Sequence, residues 1–245
     1  MSAEGNDFSL TVLGSDGSYP GPGGACSGYL LHADGFSIWM DAGSGTLANL
    51  QRHIALGDLG GVVLSHSHPD HWSDIQGLYV AMRYFLGRRD VPVYSPAGIA
   101  ELVHDPQDPT FVWNTIKDGM KARIGSFHWT WSQTDHPVET LGARVESQGR
   151  VLAYSADTGP GWPLSRLGPG VDLALVEAST TSDQAGSSIH LSAHQAGESA
   201  AEAHAERLVI THLTPQADRE KAKAEASGGF GREVEVAAVG RTWLV

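Results

Sequence analysis

The chain has 245 residues, 41% of them apolar, and a formal charge of −12 from 28 acidic and 16 basic side chains. That length favours one domain over residues 1–245 with a single extended core, and the sequence holds no run of about 18 apolar residues that could span a bilayer. The acidic balance makes long nucleic acid an awkward partner, since affinity for a polyphosphate rests on lysine and arginine displacing counterions.

The opening MSAEGNDFSL shows no basic stretch leading into an apolar one, so no secretion signal is read, and Cys26, the sole cysteine, excludes an internal disulfide. A cytoplasmic location is expected. In chain order, FSLTVLG, SGYLLHADG and FSIWMDAGSG read as strands, with the Gly/Pro-rich residues 14–24 as a loop at the rim of a site. Thr46 to Leu56 places Leu47, Leu50 and Ile54 on one helical stripe, and after the strand GGVVLSHSH a second helix, His71 to Leu86, aligns Ile75, Leu78, Tyr79, Met82 and Phe85.

VPVYSP, FHWTWSQTDH, GARVES, RVLAYSADTG and VDLALVEAS follow as strands, and Phe127, Trp129 and Trp131 alternate on one face, as packing residues do. Ser192 with Gln195 forms a capping box that opens a helix through AGESAAEAHAERL. The strand RLVITHL comes next, then a helix from Gln216 to Ala226 closed by Ser227-Gly228-Gly229, and the strand EVEVAAVG. Strands in two groups with helices between or after them predict a layered α/β sandwich.

SHSHPDHWSD sits directly after the apolar run GVVL, at the carboxyl end of a strand where α/β folds place ligands. Extended backbone puts His66 and His68 on one side, Pro69 disfavours helical geometry at His68, and Asp70 and His71 point to an adjacent position as the chain turns into helix. Such an arrangement suits a pair of metal ions, and donors without cysteine suit zinc first, then manganese or iron. Four residues cannot fill two coordination shells. His136, Asp157 and His212 each end an apolar run and supply the missing donors, and the two oxygens of Asp157 make it the natural shared ligand.

His66, His68, Asp70 and His71 form an HxHxDH motif, and with the later residues in order the chain resembles the metallo-β-lactamase superfamily along essentially its whole length. The resemblance implies a four-layer αβ/βα sandwich with a dinuclear site at one edge of the sheets. It assigns His66, His68 and His136 to one metal, Asp70, His71 and His212 to the other, and Asp157 to both; Asp41 in MDAGSG would hold the ligand loop.

The segment SSIHLSAHQAGESAAEAHAERLVITHL is similar to the ribonuclease Z and phosphodiesterase branch, and His190 matches its additional histidine. By that likeness His190 donates a proton to a leaving oxygen or steadies a phosphate, which the helix start at Ser192 to His194 would also attract. Two cations would lower the pKa of a bridging water so that hydroxide attacks phosphorus in line, with Asp70 orienting it. Ribonuclease Z carries a long basic arm for tRNA that has no equivalent here, so a small phosphodiester is expected, and the chain looks most like the short actinobacterial cyclic-nucleotide phosphodiesterases. Trp72 and Trp162 are the aromatics offered as substrate contacts. A tRNA 3′-processing nuclease and a thioester or lactam hydrolase are the alternatives; proteins resembling this one are commonly homodimers.

Overall fold

The computed structural model describes residues 7–103, 105, 108–182 and 189–245. Among the described residues fourteen strands form two seven-stranded sheets. The first holds β1 (Ser9–Gly14), β2 (Gly28–Ala33), β3 (Phe36–Ala42), β4 (Leu59–Val63), β5 (Val91–Ser95) and β6 (Phe111–Thr115) side by side in chain order. The second runs from β7 (Lys121–Ile124) through β8 (Phe127–Gln133), β9 (Leu141–Ser147), β10 (Arg150–Tyr154), β11 (Leu173–Glu177) and β12 (Arg207–Thr211) to the short β13 (Glu235–Val236). A last strand, β14 (Thr242–Leu244), returns to pair with β1.

Each sheet is antiparallel in one half and parallel in the other: β3 to β6 run parallel, as do β10 to β13. The sheets face each other over a core that includes Leu10, Tyr29, Ile38, Phe127, Trp129, Trp131, Leu152 and Val209. The alternation in FHWTWSQ thus buries Phe127, Trp129 and Trp131, with the two indoles stacked at 5.7 Å.

Helices cover both outer faces, completing the four layers. Over the first sheet lie α1 (Thr46–Leu50), α2 (Pro69–Trp72) and α3 (Ile75–Val80), and over the second α4 (Ala193–Glu202) and α5 (Arg219–Phe230). Among them no helix of the described residues is long and apolar enough to cross a membrane.

Several boundaries differ from the sequence expectation. The stretch expected as one helix from Thr46 to Leu56 narrows after Leu50 into i to i+3 turns, where Gln51, Arg52 and His53 are exposed and have no face to bury. The helix expected from His71 to Leu86 is broken after Trp72 and ends in a π-helical segment, Ala81–Leu86. The wider π turn shifts the phase of the apolar stripe, so Met82 is buried while Phe85 is 81% exposed.

The capping box at Ser192 forms as expected, Gln195 N–H donating to Ser192 Oγ and Ser192 N–H to Gln195 Oε1, but α4 stops at Glu202 because RLVIT is taken into β12. The last helix starts later and runs past Ser227-Gly228-Gly229 to Phe230. Those glycines are not terminators here. A Cβ on Gly229 would meet the His194 carbonyl at 2.2 Å, and one on Gly197 the Ala226 carbonyl at 2.2 Å, so the glycines let α4 and α5 approach backbone to backbone.

Cys26 lies beneath the site loop, 1% exposed. Burial, with the neighbouring Asp70 and Asp16 charges, pushes its thiol up to about 12, so the reactive thiolate is absent at ordinary pH. Iodoacetamide at pH 8 should leave the folded protein unmodified and add one label per chain in denaturant, read by intact mass.

Candidate metal centre

The seven expected donors converge at one edge of the sandwich, drawn from segments that follow β4, β8, β10 and β12. His68 is extended (φ −71°, ψ 137°) and Pro69 opens α2, so the chain reverses between the paired histidines and Asp70. His68 Nδ1 lies 3.1 Å from His66 Nε2 and 3.1 Å from His136 Nε2. On the other side, His212 Nε2 is 3.2 Å and His71 Nε2 3.6 Å from Asp70 Oδ2. Asp157 stands between them: His66 and His212 approach its Oδ2 at 3.6 and 3.5 Å, and His71 approaches its Oδ1 at 3.2 Å.

Imidazole nitrogens crowded at such distances, with carboxylates among them, form a donor set waiting for cations. His71 Nε2 and Asp157 Oδ1 are buried with no hydrogen-bond partner among the described residues, a costly state that a bound cation would relieve. Burial, reinforced by the His71 charge, holds the His66 imidazolium below its ordinary range, and burial does the same to His136, so both present lone pairs at neutral pH. Burial opposes charge on His71 too, but Asp157 and Asp41 outweigh it and push that imidazole upward. The same two carboxylates would attract a metal ion. The residues present therefore fit divalent metal.

A second set of groups orients the donors, each through the ring nitrogen that faces away. His71 Nδ1 donates to Asp41 Oδ2 at 2.8 Å, and Asp41 also accepts the Ser65 N–H (2.7 Å), the Ser65 hydroxyl (2.8 Å) and the Tyr154 hydroxyl (2.7 Å). His66 Nδ1 pairs with Ser65 Oγ, His136 Nδ1 donates to the Ile189 carbonyl, and His212 Nδ1 pairs with Ser179 Oγ at 2.7 Å. Asp41, Ala156 and His212 all have left-handed backbone, with φ of 56°, 51° and 57°. Non-glycine residues hold that conformation only where surrounding contacts fix them.

His190 joins the cluster, its Nδ1 3.9 Å from Asp157 Oδ2 and 2.9 Å from Glu177 Oε1. Burial disfavours its charge, but the Glu177 hydrogen bond and charge, with Asp157 and Asp70, push it up to about 9. Nothing in the sequence reading marks Glu177. It is buried at the end of β11 and also accepts the Thr158 N–H (2.7 Å) and the Ser179 hydroxyl (2.9 Å), which ties the Asp157, His190 and His212 segments to one carboxylate. A lone acid ending the apolar run VDLALVE was the available signal, of the same kind that marked Asp157.

Two expectations about substrate contacts are corrected. Trp162 is 3% exposed, its indole N–H on Ser132 Oγ and its ring against Gly142, so it packs under the second sheet's helical face. At the α4 start most of the N–H groups expected to meet a phosphate are already used: those of Ser192, Ala193 and Gln195 donate to Gln195, Thr180 and Ser192. Trp72 keeps partial exposure, with its N–H on the Ser67 carbonyl, which braces the ligand loop from outside.

Two facing mixed sheets between helical layers, with a histidine and aspartate cluster at the carboxyl ends of strands from both sheets, define a metal-dependent hydrolase. The chain belongs to the beta-lactamase superfamily domain family, whose model matches residues 37–213. It is 35% identical to the uncharacterized protein Rv1339 of Mycobacterium tuberculosis, over 96% of this chain and 92% of that one. The probable metallo-hydrolase YhfI of Bacillus subtilis is 31% identical over 96% of this chain and 98% of its own. The crystal structure of YhfI superposes with a TM-score of 0.89, at 29% identity, covering 96% of this chain and 99% of that one. Human tRNase Z, short form, shares the fold with a TM-score of 0.77 at 20% identity, covering 96% of this chain and 98% of that chain.

Proposed function

We propose that the protein is a cytoplasmic dinuclear metal phosphodiesterase that hydrolyses a small phosphodiester, with a 3′,5′-cyclic nucleotide as the substrate class. The observation that carries this reading is the Glu177–His190 pair set against Asp157: an imidazolium beside the metal donors is suited to a reaction that must protonate an alkoxide leaving group. The two donor groups, His66/His68/His136 and Asp70/His71/His212, would each hold one divalent ion, zinc in the first instance, with Asp157 shared. Bound there, the ions would supply an activated water and charge neutralisation for the phosphoryl oxygens.

The chain's own residues do the rest. Asp70 is held well below the usual carboxylate range: burial opposes its charge, but the His212 hydrogen bond and the His71 and His212 charges prevail. Its Oδ2 also accepts the Ser18 N–H at 2.8 Å, so the carboxylate is fixed and ionised, ready to orient a proton of the attacking water. His190 carries the proton for the leaving oxygen, and Glu177 fixes the ring through Nδ1 so that Nε2 is the donating atom. An acidic molecule with 16 basic against 28 acidic side chains favours a small substrate over a polynucleotide.

Incubation of the zinc- or manganese-loaded protein with cyclic AMP and, separately, a 3′-extended tRNA tests the proposal. Nucleoside monophosphate should form from the first, seen by chromatography. Cleavage of the tRNA with no cyclic-nucleotide turnover would replace this reading with a tRNA 3′-processing nuclease.

A further inference from the structure

Beneath the donor cluster, two buried tyrosines cross between the sheets in opposite directions. Tyr29, on β2 of the first sheet, hydrogen-bonds Thr211 Oγ1 at the end of β12 in the second (2.7 Å), next to the donor His212. Tyr154, the last residue of β10 in the second sheet, donates to Asp41 Oδ2 on β3 of the first (2.7 Å), the oxygen that also takes the His71 Nδ1 proton. The two rings meet edge to face, with centroids 5.4 Å apart at 62°.

Each hydroxyl reaches a point of backbone strain, Asp41 with φ 56° in one case and the Thr211–His212 junction, with φ 57° at His212, in the other. Both routes reach donors of the group Asp70/His71/His212, at His212 and at His71. Asp41 Oδ2 also accepts the Ser65 hydroxyl, which pairs with His66 Nδ1, so the Tyr154 route extends to His66 as well, whereas the Tyr29 route stops at the Thr211–His212 junction; His136 rests on the Ile189 carbonyl. Neither His66 nor His136 hydrogen-bonds a tyrosine among the described residues.

We propose that Tyr29 and Tyr154 are positioning residues that brace the metal donors from opposite sheets, Tyr29 acting on the Asp70/His71/His212 position alone and Tyr154, through Asp41, on both positions. This rests on the dinuclear reading above. Removing a hydroxyl frees a strained donor segment on one side of the cleft, and orienting groups of this kind typically change metal affinity by about 10- to 100-fold.

Tyr29→Phe, Tyr154→Phe and the double variant, each loaded with zinc, are titrated with a chelator while metal per chain is measured by mass spectrometry. The metal-free proteins are melted in parallel. Tyr29→Phe should release one of its two ions at about 10-fold lower chelator concentration and keep the other unchanged, Tyr154→Phe should ease release of both, and the double variant should show the larger shift. Thr211→Val, which removes the Tyr29 partner and leaves the ring, should reproduce Tyr29→Phe and keeps the test open if the double variant fails to fold. Equal weakening of both ions by Tyr29→Phe, as general destabilisation would give, or no change with either single variant, overturns the proposal. A wild-type protein that holds fewer than two ions overturns the dinuclear reading itself, before any variant is compared.

Discussion

Asp157→Ala should lower phosphodiester hydrolysis by at least about 10³-fold, equivalent to about 4 kcal/mol on the barrier, and reduce bound metal in the same preparation. Asp157 is 2% exposed and is the only residue whose oxygens approach histidines of both donor groups among the described residues: His66 at 3.6 Å, His71 at 3.2 Å and His212 at 3.5 Å. Without it, the imidazoles converge with no shared anionic ligand between them, and both cation positions lose a donor at once. Its removal also leaves Ser155 and the left-handed Ala156 in place, so the strand end should persist. Circular dichroism and metal analysis separate loss of the site from loss of the fold; a variant with wild-type turnover would show that the chemistry lies elsewhere.

Glu177→Gln should leave the metal donors complete yet lower kcat by about 10-fold, and His190→Ala by about 10²- to 10³-fold, the range expected for a general acid. The pH profile distinguishes this from a packing defect. His190 is raised to about 9 by Glu177, Asp157 and Asp70 against the opposing effect of burial, so its proton is present below that pH and is lost as pH rises through it. Bound cations add repulsion, which places the alkaline limb of the wild type at or below about 9. The Glu177→Gln side chain is a neutral amide and should move that limb to lower pH, whereas a variant that merely loosened the fold would lower the rate without moving it. The linkage has the same sign: stability from the Glu177–His190 pair is complete below the ordinary histidine range near 6.5 and declines as pH rises toward 9.

All seven residues that converge in the cluster could be read from the sequence because each is a polar residue placed after an apolar run, a position that serves packing poorly. Pro69 even gave the backbone state of His68. Glu177 escaped because one acid at a strand end looks like any solvated turn residue until its burial is known, and Tyr29 and Tyr154 because a buried tyrosine in an apolar run is indistinguishable from packing. Trp162 went astray for the converse reason: TGPGWP has loop composition, yet its indole is folded under the sheet against Gly142. Phe85 kept a helical spacing that held only while the helix stayed α-helical, and β7 (KARI) alternates charge on an edge where no apolar signal is required. Local pattern thus located side chains that break a rule, and could not locate those that obey one while serving another purpose.

Donors His66 to His71 come from the first sheet, and His136, Asp157 and His212 from the second. During synthesis the HxHxDH loop leaves the ribosome long before His212 is made, so a nascent chain can offer an ion only half of its coordination. Selection among competing ions is thereby deferred to the moment when the sheets close on each other and fix the donor spacing. Choice of metal becomes a late step of folding, governed by geometry more than by the order in which ions are met.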